Sequence, residues 1–157
     1  DWLGLVPIAF AFGFAVLGLV QWIKRKRLKN VDYNLFVLGG FYIVVMAVYV
    51  LFELVVLNYR PVLINGVLEA SYPSSTTLLV MCVMPTSMMQ IKQRIRSPRL
   101  QRSVNVFLAA FTVFMVTARL ISGVHWLTDI IGGMLLSTGL VILYSDLIQD
   151  KEKPGSQ

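Results

Sequence analysis

The apolar residues of this chain come in unbroken blocks long enough to cross a bilayer, and no other feature narrows its fold as much. Residues 2–23 carry no charge, and residues 35–57 carry only Glu53. Both blocks exceed the ~20 residues needed to span a hydrocarbon core. Residues 75–91, 103–118 and 130–147 form three further blocks near or slightly below that length. None of the five shows the polar face of helical period that a buried helix of a soluble protein would keep. Composition agrees: 57% of residues are hydrophobic and 14% charged, too little polar surface for a soluble domain of this size. The expected fold is all-α, a polytopic transmembrane bundle with five spans in this chain. There is no internal repeat and no low-complexity stretch.

Net charge is +6, which on its own could suggest nucleic acid, but the distribution argues for a membrane. Lys24, Arg25, Lys26, Arg27 and Lys29 follow the first block. Lys92, Arg94, Arg96, Arg99 and Arg102 follow the third, and Lys151 and Lys153 the fifth. Only Arg60 and Arg119 fall on the other side, so twelve of the fourteen basic residues share one face of a five-span arrangement. By the positive-inside rule that face is cytoplasmic, with the N-terminus outside and the C-terminus inside. The basic loops are expected to meet anionic headgroups. Membrane lipids are therefore expected partners and nucleic acid is not. The chain reads as one domain over residues 1–149 with a polar cytoplasmic tail at 150–157. It begins at Asp1 with its N-terminus outside, so a further spanning helix is expected upstream, making six. Cys82, alone in the middle of a span, is expected to be a small core residue rather than a reactive thiol.

The longest outer connection, residues 58–73, contains Pro61 and the turn pair Asn65-Gly66. Pro73-Ser74-Ser75 is a helix-start signal. Pro85 is expected to kink the third helix. Gly39-Gly40 and Gly132-Gly133 are expected to let helices approach closely.

Three outer elements carry the chemistry: Asn58-Tyr59-Arg60-Pro61, the run from Tyr72 to Thr77, and the stretch from Arg119 to Asp129. The topology brings all three to one bilayer face. Arginine forks and helix N-terminal amides hold phosphate. A histidine can attack phosphorus while an aspartate holds its tautomer. His125 and Asp129 are four residues apart, so one helical turn would stack them. Singly, each has a plainer reading: Arg60 and Arg119 as headgroup contacts, His125 beside Trp126 as an interfacial anchor, Asp129 as a helix cap. Jointly, on one face, they read as a phosphate site. A transporter or channel is the weaker alternative, because the charges lie at helix ends rather than at mid-membrane.

These residues resemble the three motifs of the type-2 phosphatidic acid phosphatase family, integral-membrane lipid phosphate phosphatases. The first motif is Lys, six residues, Arg-Pro, and Arg60-Pro61 matches its end. The second is Pro-Ser-Gly-His, and Pro73-Ser74-Ser75-Thr76 aligns with it. The third is Ser-Arg, five residues, His, three residues, Asp, matched by Ala118-Arg119, His125 and Asp129 and followed by Ile130-Ile131-Gly132-Gly133. The resemblance implies a helical bundle and a phosphohistidine intermediate, with no cofactor and no metal. It implies His125 as nucleophile, Asp129 as its orienting partner, and Arg60, Arg119, Ser74 and Ser75 as phosphate-binding. Thr76 occupies the position of the family's general-acid histidine, Glu53 that of its lysine, and Ala118 that of its serine. Threonine has no proton to give at neutral pH, and a positioned acid contributes ~10²–10⁴-fold. The expected function is a phosphatase for lipid phosphates or pyrophosphates at the outer face of a bacterial plasma membrane, impaired at its acid. Substrates of the class of phosphatidic acid, phosphatidylglycerol phosphate and undecaprenyl pyrophosphate fit it. The alternative is a catalytically silent family member that binds anionic lipid or phosphate.

Overall fold

The computed structural model describes residues 4–27 and 31–150. Five helices follow the five apolar blocks: α1 (Leu5–Arg25), α2 (Tyr33–Leu54), α3 (Ser75–Arg94), α4 (Pro98–Ile121) and α5 (Leu127–Asp150). The shortest, α3, has 20 residues, about 30 Å of helix and enough to cross a bilayer core. Among the described residues the only β pairing is two isolated bridges in the loop after α2. The tail from residue 151 onward and Lys29, expected at the basic face, lie outside the described residues, as does anything before Asp1.

Local signals explain the helix ends. Ser74 caps α3 by accepting from the Thr77 amide, and Ser97 caps α4 by accepting from the Leu100 amide, with Pro98 at its start. These caps satisfy amides that have no intrahelical partner. The Ser97-Pro98 start carries α4 five residues upstream of its apolar block at residue 103. Lys24 and Arg25 lie in the last turn of α1, and Lys92 and Arg94 in that of α3, where cations suit the negative end of the helix dipole.

Four helices, α1, α2, α4 and α5, are long and apolar enough to cross a membrane by their own composition. They leave large apolar side chains such as Phe12, Ile43, Val113 and Leu135 exposed, the surface a bilayer covers. The fifth, α3, contacts all four others and faces protein instead. That position explains its lower hydropathy: Thr77, Thr86, Ser87 and Gln90 are fully buried on it. Thr86 returns its hydroxyl to the carbonyl of Cys82, and Gln90 donates to the Tyr144 hydroxyl on α5. Cys82 is buried in the core formed by α2, α3 and α5, with Leu38, Phe41 and Tyr144.

The two glycine pairs behave differently. A Cβ on Gly132 would meet the Tyr72 ring at 2.3 Å, and one on Gly133 would meet Thr77 at 3.3 Å. Gly39 and Gly40 have nothing within 4 Å. The close approach expected at Gly39-Gly40 does not occur. Instead α1 and α2 splay around an apolar cavity of about 440 Å³ lined by both glycines. Small residues permit approach without enforcing it, and Phe14, Trp22 and Phe36 line the same cavity.

At the basic end, Asp32 joins three helices. It accepts from Gln21 at 2.7 Å and Arg25 at 3.0 Å, and lies 3.8 Å from Arg94. The hydrogen bond from Gln21, chiefly, holds its carboxyl below the usual range against the opposing effect of burial.

Candidate active site

At the opposite end, the connection from α2 to α3 folds back on itself. Arg60 N donates to Glu69 O at 3.1 Å, Ser71 N to Asn58 O at 2.9 Å, and Ile64 and Val67 bond each other. Asn65 and Gly66 turn the chain with φ of 50° and 77°, the left-handed pair that a two-residue hairpin turn demands. The fold-back lays Asn58, Arg60 and Ser71 side by side over the start of α5. Trp126 Nε1 fastens it by donating to Tyr59 O at 2.9 Å. Ser74 N donates to Asp129 O at 3.1 Å, so the N-termini of α3 and α5 meet.

His125 lies in the connection between α4 and α5, two residues before α5 begins. Its Nδ1 is 3.1 Å from the Ser71 carbonyl oxygen and 3.2 Å from Ser71 Oγ. Its Nε2 is 3.4 Å from Arg60 Nη1. Asp129 Oδ2 stands 3.7 Å from Nδ1, within ion-pair range but too far for a direct hydrogen bond. The ring and carboxylate do stack four residues apart, but across the helix start rather than along a helical turn. Asp129 also accepts from the Trp126 amide at 2.9 Å, from Asn58 Nδ2 at 3.5 Å, and from the Ser71 hydroxyl. It is thus both a cap for α5 and a partner for the histidine loop. His125 is 6% exposed and Asp129 0%.

Burial, chiefly, lowers the His125 pKa below its usual value, and the positive charges of Arg60 and Arg119 push the same way. Asp129 and the Ser71 backbone oppose them without reversing the sign. The imidazole is therefore neutral at pH 7, the form that can act as a nucleophile.

Arg60 and His125 face a polar cavity of about 250 Å³, which Glu53, Glu69, Ser71, Tyr72 and Ser75 also line. Glu69 Oε2 lies 3.2 Å from Arg60 Nε, near enough for an ion pair. The pair is not aligned as a hydrogen bond, so Nε–H remains unused. Beside this cavity runs an apolar groove of about 360 Å³ between α1, α2 and α3, lined by Leu5, Ile8, Val45, Met46 and Leu79. Tyr49 and Ser75 line both spaces.

Of the residues singled out from sequence, His125, Arg60 and Ser75 line the polar cavity, and Asp129 lies buried behind His125. Ser74 is buried beneath it as the cap of α3, its Oγ bonded by Thr77. Arg119 is half-buried in the last turn of α4, close enough for its charge to act on the His125 ring. Thr76 lines the apolar groove rather than the polar cavity. Sequence reasoning gave no role to Ser71 or Glu69, and none to Asn58 beyond its place in an outer element. Signals were present: Glu69 is the one acidic residue in the outer loop, and Ser71 directly precedes Tyr72-Pro73.

A neutral histidine, an arginine and a polar cavity at one end of a helical bundle can take up phosphate chemistry, and comparison with known proteins gives the family. A family model described as the PAP2 superfamily matches residues 55–153. The chain belongs to the PAP2 superfamily and is, by that membership, a hydrolase of the lipid phosphatase type. Its fold is similar to the first transmembrane PAP2 type phosphatidylglycerolphosphate phosphatase from Bacillus subtilis, known from a crystal structure. The match has a TM-score of 0.61 at 19% identity and covers 100% of this chain and 81% of that one. No curated protein matches at the level of sequence.

Proposed function

We propose that the chain hydrolyses phosphorylated membrane lipids through a phosphohistidine on His125, with lipid pyrophosphates favoured over phosphomonoesters. The observation that carries this reading is Nε2 of a neutral, buried His125 facing Arg60 in a polar cavity that shares Tyr49 and Ser75 with an apolar groove. A phosphate beside Arg60 can thus have its lipid chain in the groove. The Nε2 lone pair attacks phosphorus to form an N–P bond, and the bond to the leaving oxygen breaks, its electron pair going to that oxygen. Water then attacks the phosphohistidine, the N–P electrons return to the ring, and inorganic phosphate leaves. Arg60, with Arg119 nearby, offsets charge on the phosphoryl oxygens.

Substrate preference follows from the leaving group. A lipid alkoxide must take up a proton as it departs, and Thr76 supplies none. A lipid phosphate leaving from a pyrophosphate is already a stable anion. The asymmetry of the basic loops supports an orientation with the site at the outer leaflet and the C-terminus in the cytoplasm, in keeping with a bacterial plasma membrane.

A second reading, a silent member that binds phosphate without turning it over, draws on the engagement of Arg60 by Glu69. Phosphate release from a lipid pyrophosphate and a lipid phosphomonoester in detergent micelles separates the two. Hydrolysis of the pyrophosphate, lost in His125→Ala, is expected. Saturable binding of both lipids with no release from either would favour the silent member.

A further inference from the structure

We propose that Ser71 is a positioning residue of the histidine site: its hydroxyl joins His125 to Asp129, and its main chain and side chain together fix the proton on Nδ1. The inference rests on the phosphohistidine reading and names a residue that no motif includes.

The geometry leaves few alternatives. Asp129 Oδ2 is 3.7 Å from Nδ1, too far to bond it directly. Ser71 Oγ fills the interval, 3.2 Å from Nδ1 and bonded to Asp129 Oδ2. An ionised carboxylate only accepts, so the single hydroxyl proton of Ser71 goes to Asp129. Toward Nδ1 the Ser71 oxygen can then only accept. The Ser71 carbonyl, 3.1 Å from the same nitrogen, can likewise only accept. Both neighbours of Nδ1 therefore require it to carry the proton, and Nε2 keeps its lone pair. From the other side, Arg60 Nη1, a donor with no acceptor capacity, lies 3.4 Å from Nε2 and demands the same tautomer.

Ser71 is 1% exposed, and its two partners are nearly as enclosed. The sequence relationship is indirect, since Ser71 reaches the histidine only because the fold-back after α2 returns it beside Asn58. Charge developing on the ring during attack reaches the Asp129 carboxylate through the Ser71 hydroxyl, the coupling that steadies an imidazole in nucleophilic catalysis.

The test combines a measurement on the unaltered chain with two variants. Nitrogen-15 NMR of its single histidine is expected to report the Nδ1–H tautomer. A dominant Nε2–H tautomer would overturn the proposal whatever the variants do. Ser71→Ala removes the hydroxyl but leaves the carbonyl, and Asp129 keeps the Trp126 amide and Asn58. Phosphate release from a lipid pyrophosphate is expected to fall in kcat by about 10-fold or more, with KM within about twofold. Ser71→Thr, which restores the hydroxyl, is expected to recover most of kcat. Unchanged kcat in Ser71→Ala, or a loss that follows the folded fraction with Ser71→Thr equally impaired, would overturn it. If His125→Ala retained full activity, the phosphohistidine reading would fail instead, while the tautomer would still judge the role of Ser71.

Discussion

The ring of Tyr72 occupies the space that a side chain at Gly132 would need, with Cε2 2.3 Å from where the Cβ would stand. Tyr72 follows Ser71 and lines the polar cavity, so this close approach seats the returning loop on α5. Gly132→Ala is expected to displace Tyr72 and lower stability by about 1–3 kcal/mol through overpacking, with a parallel fall in phosphate release. Gly39→Ala, with open space around it, is expected to hold or raise stability by up to about 1 kcal/mol. Thermal unfolding of the two variants in one detergent checks the contrast.

His125 titrates alone, because the chain has one histidine. Its pKa is lowered by burial first and by Arg60 second. The NMR midpoint is therefore expected below the usual value of about 6.5, and Arg60→Gln is expected to raise it. Protonation removes the nucleophile, so kcat/KM is expected to be flat near pH 7. On the acid side of that midpoint it should fall by about tenfold per pH unit. The same sign holds for stability. The folded state binds the proton less readily than the unfolded state, so stability is full above the unfolded value and declines as pH falls below it.

Thr76 lines the groove one residue beyond Ser75, which borders the cavity. On the phosphohistidine reading, a histidine at this position is expected to offer the leaving oxygen a proton that threonine cannot give. Thr76→His is expected to raise turnover of a lipid phosphomonoester by about 10²-fold and of a lipid pyrophosphate by less. Equal gains on the two substrates would mean that the acid does not limit monoester hydrolysis.

Orientation is accessible to labelling. With Cys82 buried in the core, a cysteine introduced at Asn65 is expected to react with an impermeant maleimide from outside intact cells. One at Ser97 should react only after permeabilisation. The reverse pattern would put the site at the inner leaflet.

The bundle was legible because lipid-facing helices must be apolar for their whole length, as α1 and α2 are. The third helix was harder to see, since enclosure by its neighbours relieves it of that demand and admits Thr77, Ser87 and Gln90. The nearness of His125 to Asp129 could be read from their four-residue spacing at the start of α5, whereas Arg60 meets the histidine through the loop after α2. The roles of Ser71 and Glu69 were harder to read than their places in the outer loop, because they depend on a hairpin whose pairing, Arg60 with Glu69 and Asn58 with Ser71, is a tertiary fact. Gly39-Gly40 misled because glycine permits close packing without enforcing it.

The most direct test of the central claim is to capture the covalent intermediate. The chain is mixed with a lipid pyrophosphate labelled with phosphorus-32 at its terminal phosphate, quenched in alkali within milliseconds, and mapped by mass spectrometry. The expected result is an alkali-stable, acid-labile phosphoryl group on His125, formed at a rate no slower than turnover and lost in His125→Ala. Steady phosphate release with no labelled His125 at any quench time would contradict a phosphohistidine mechanism.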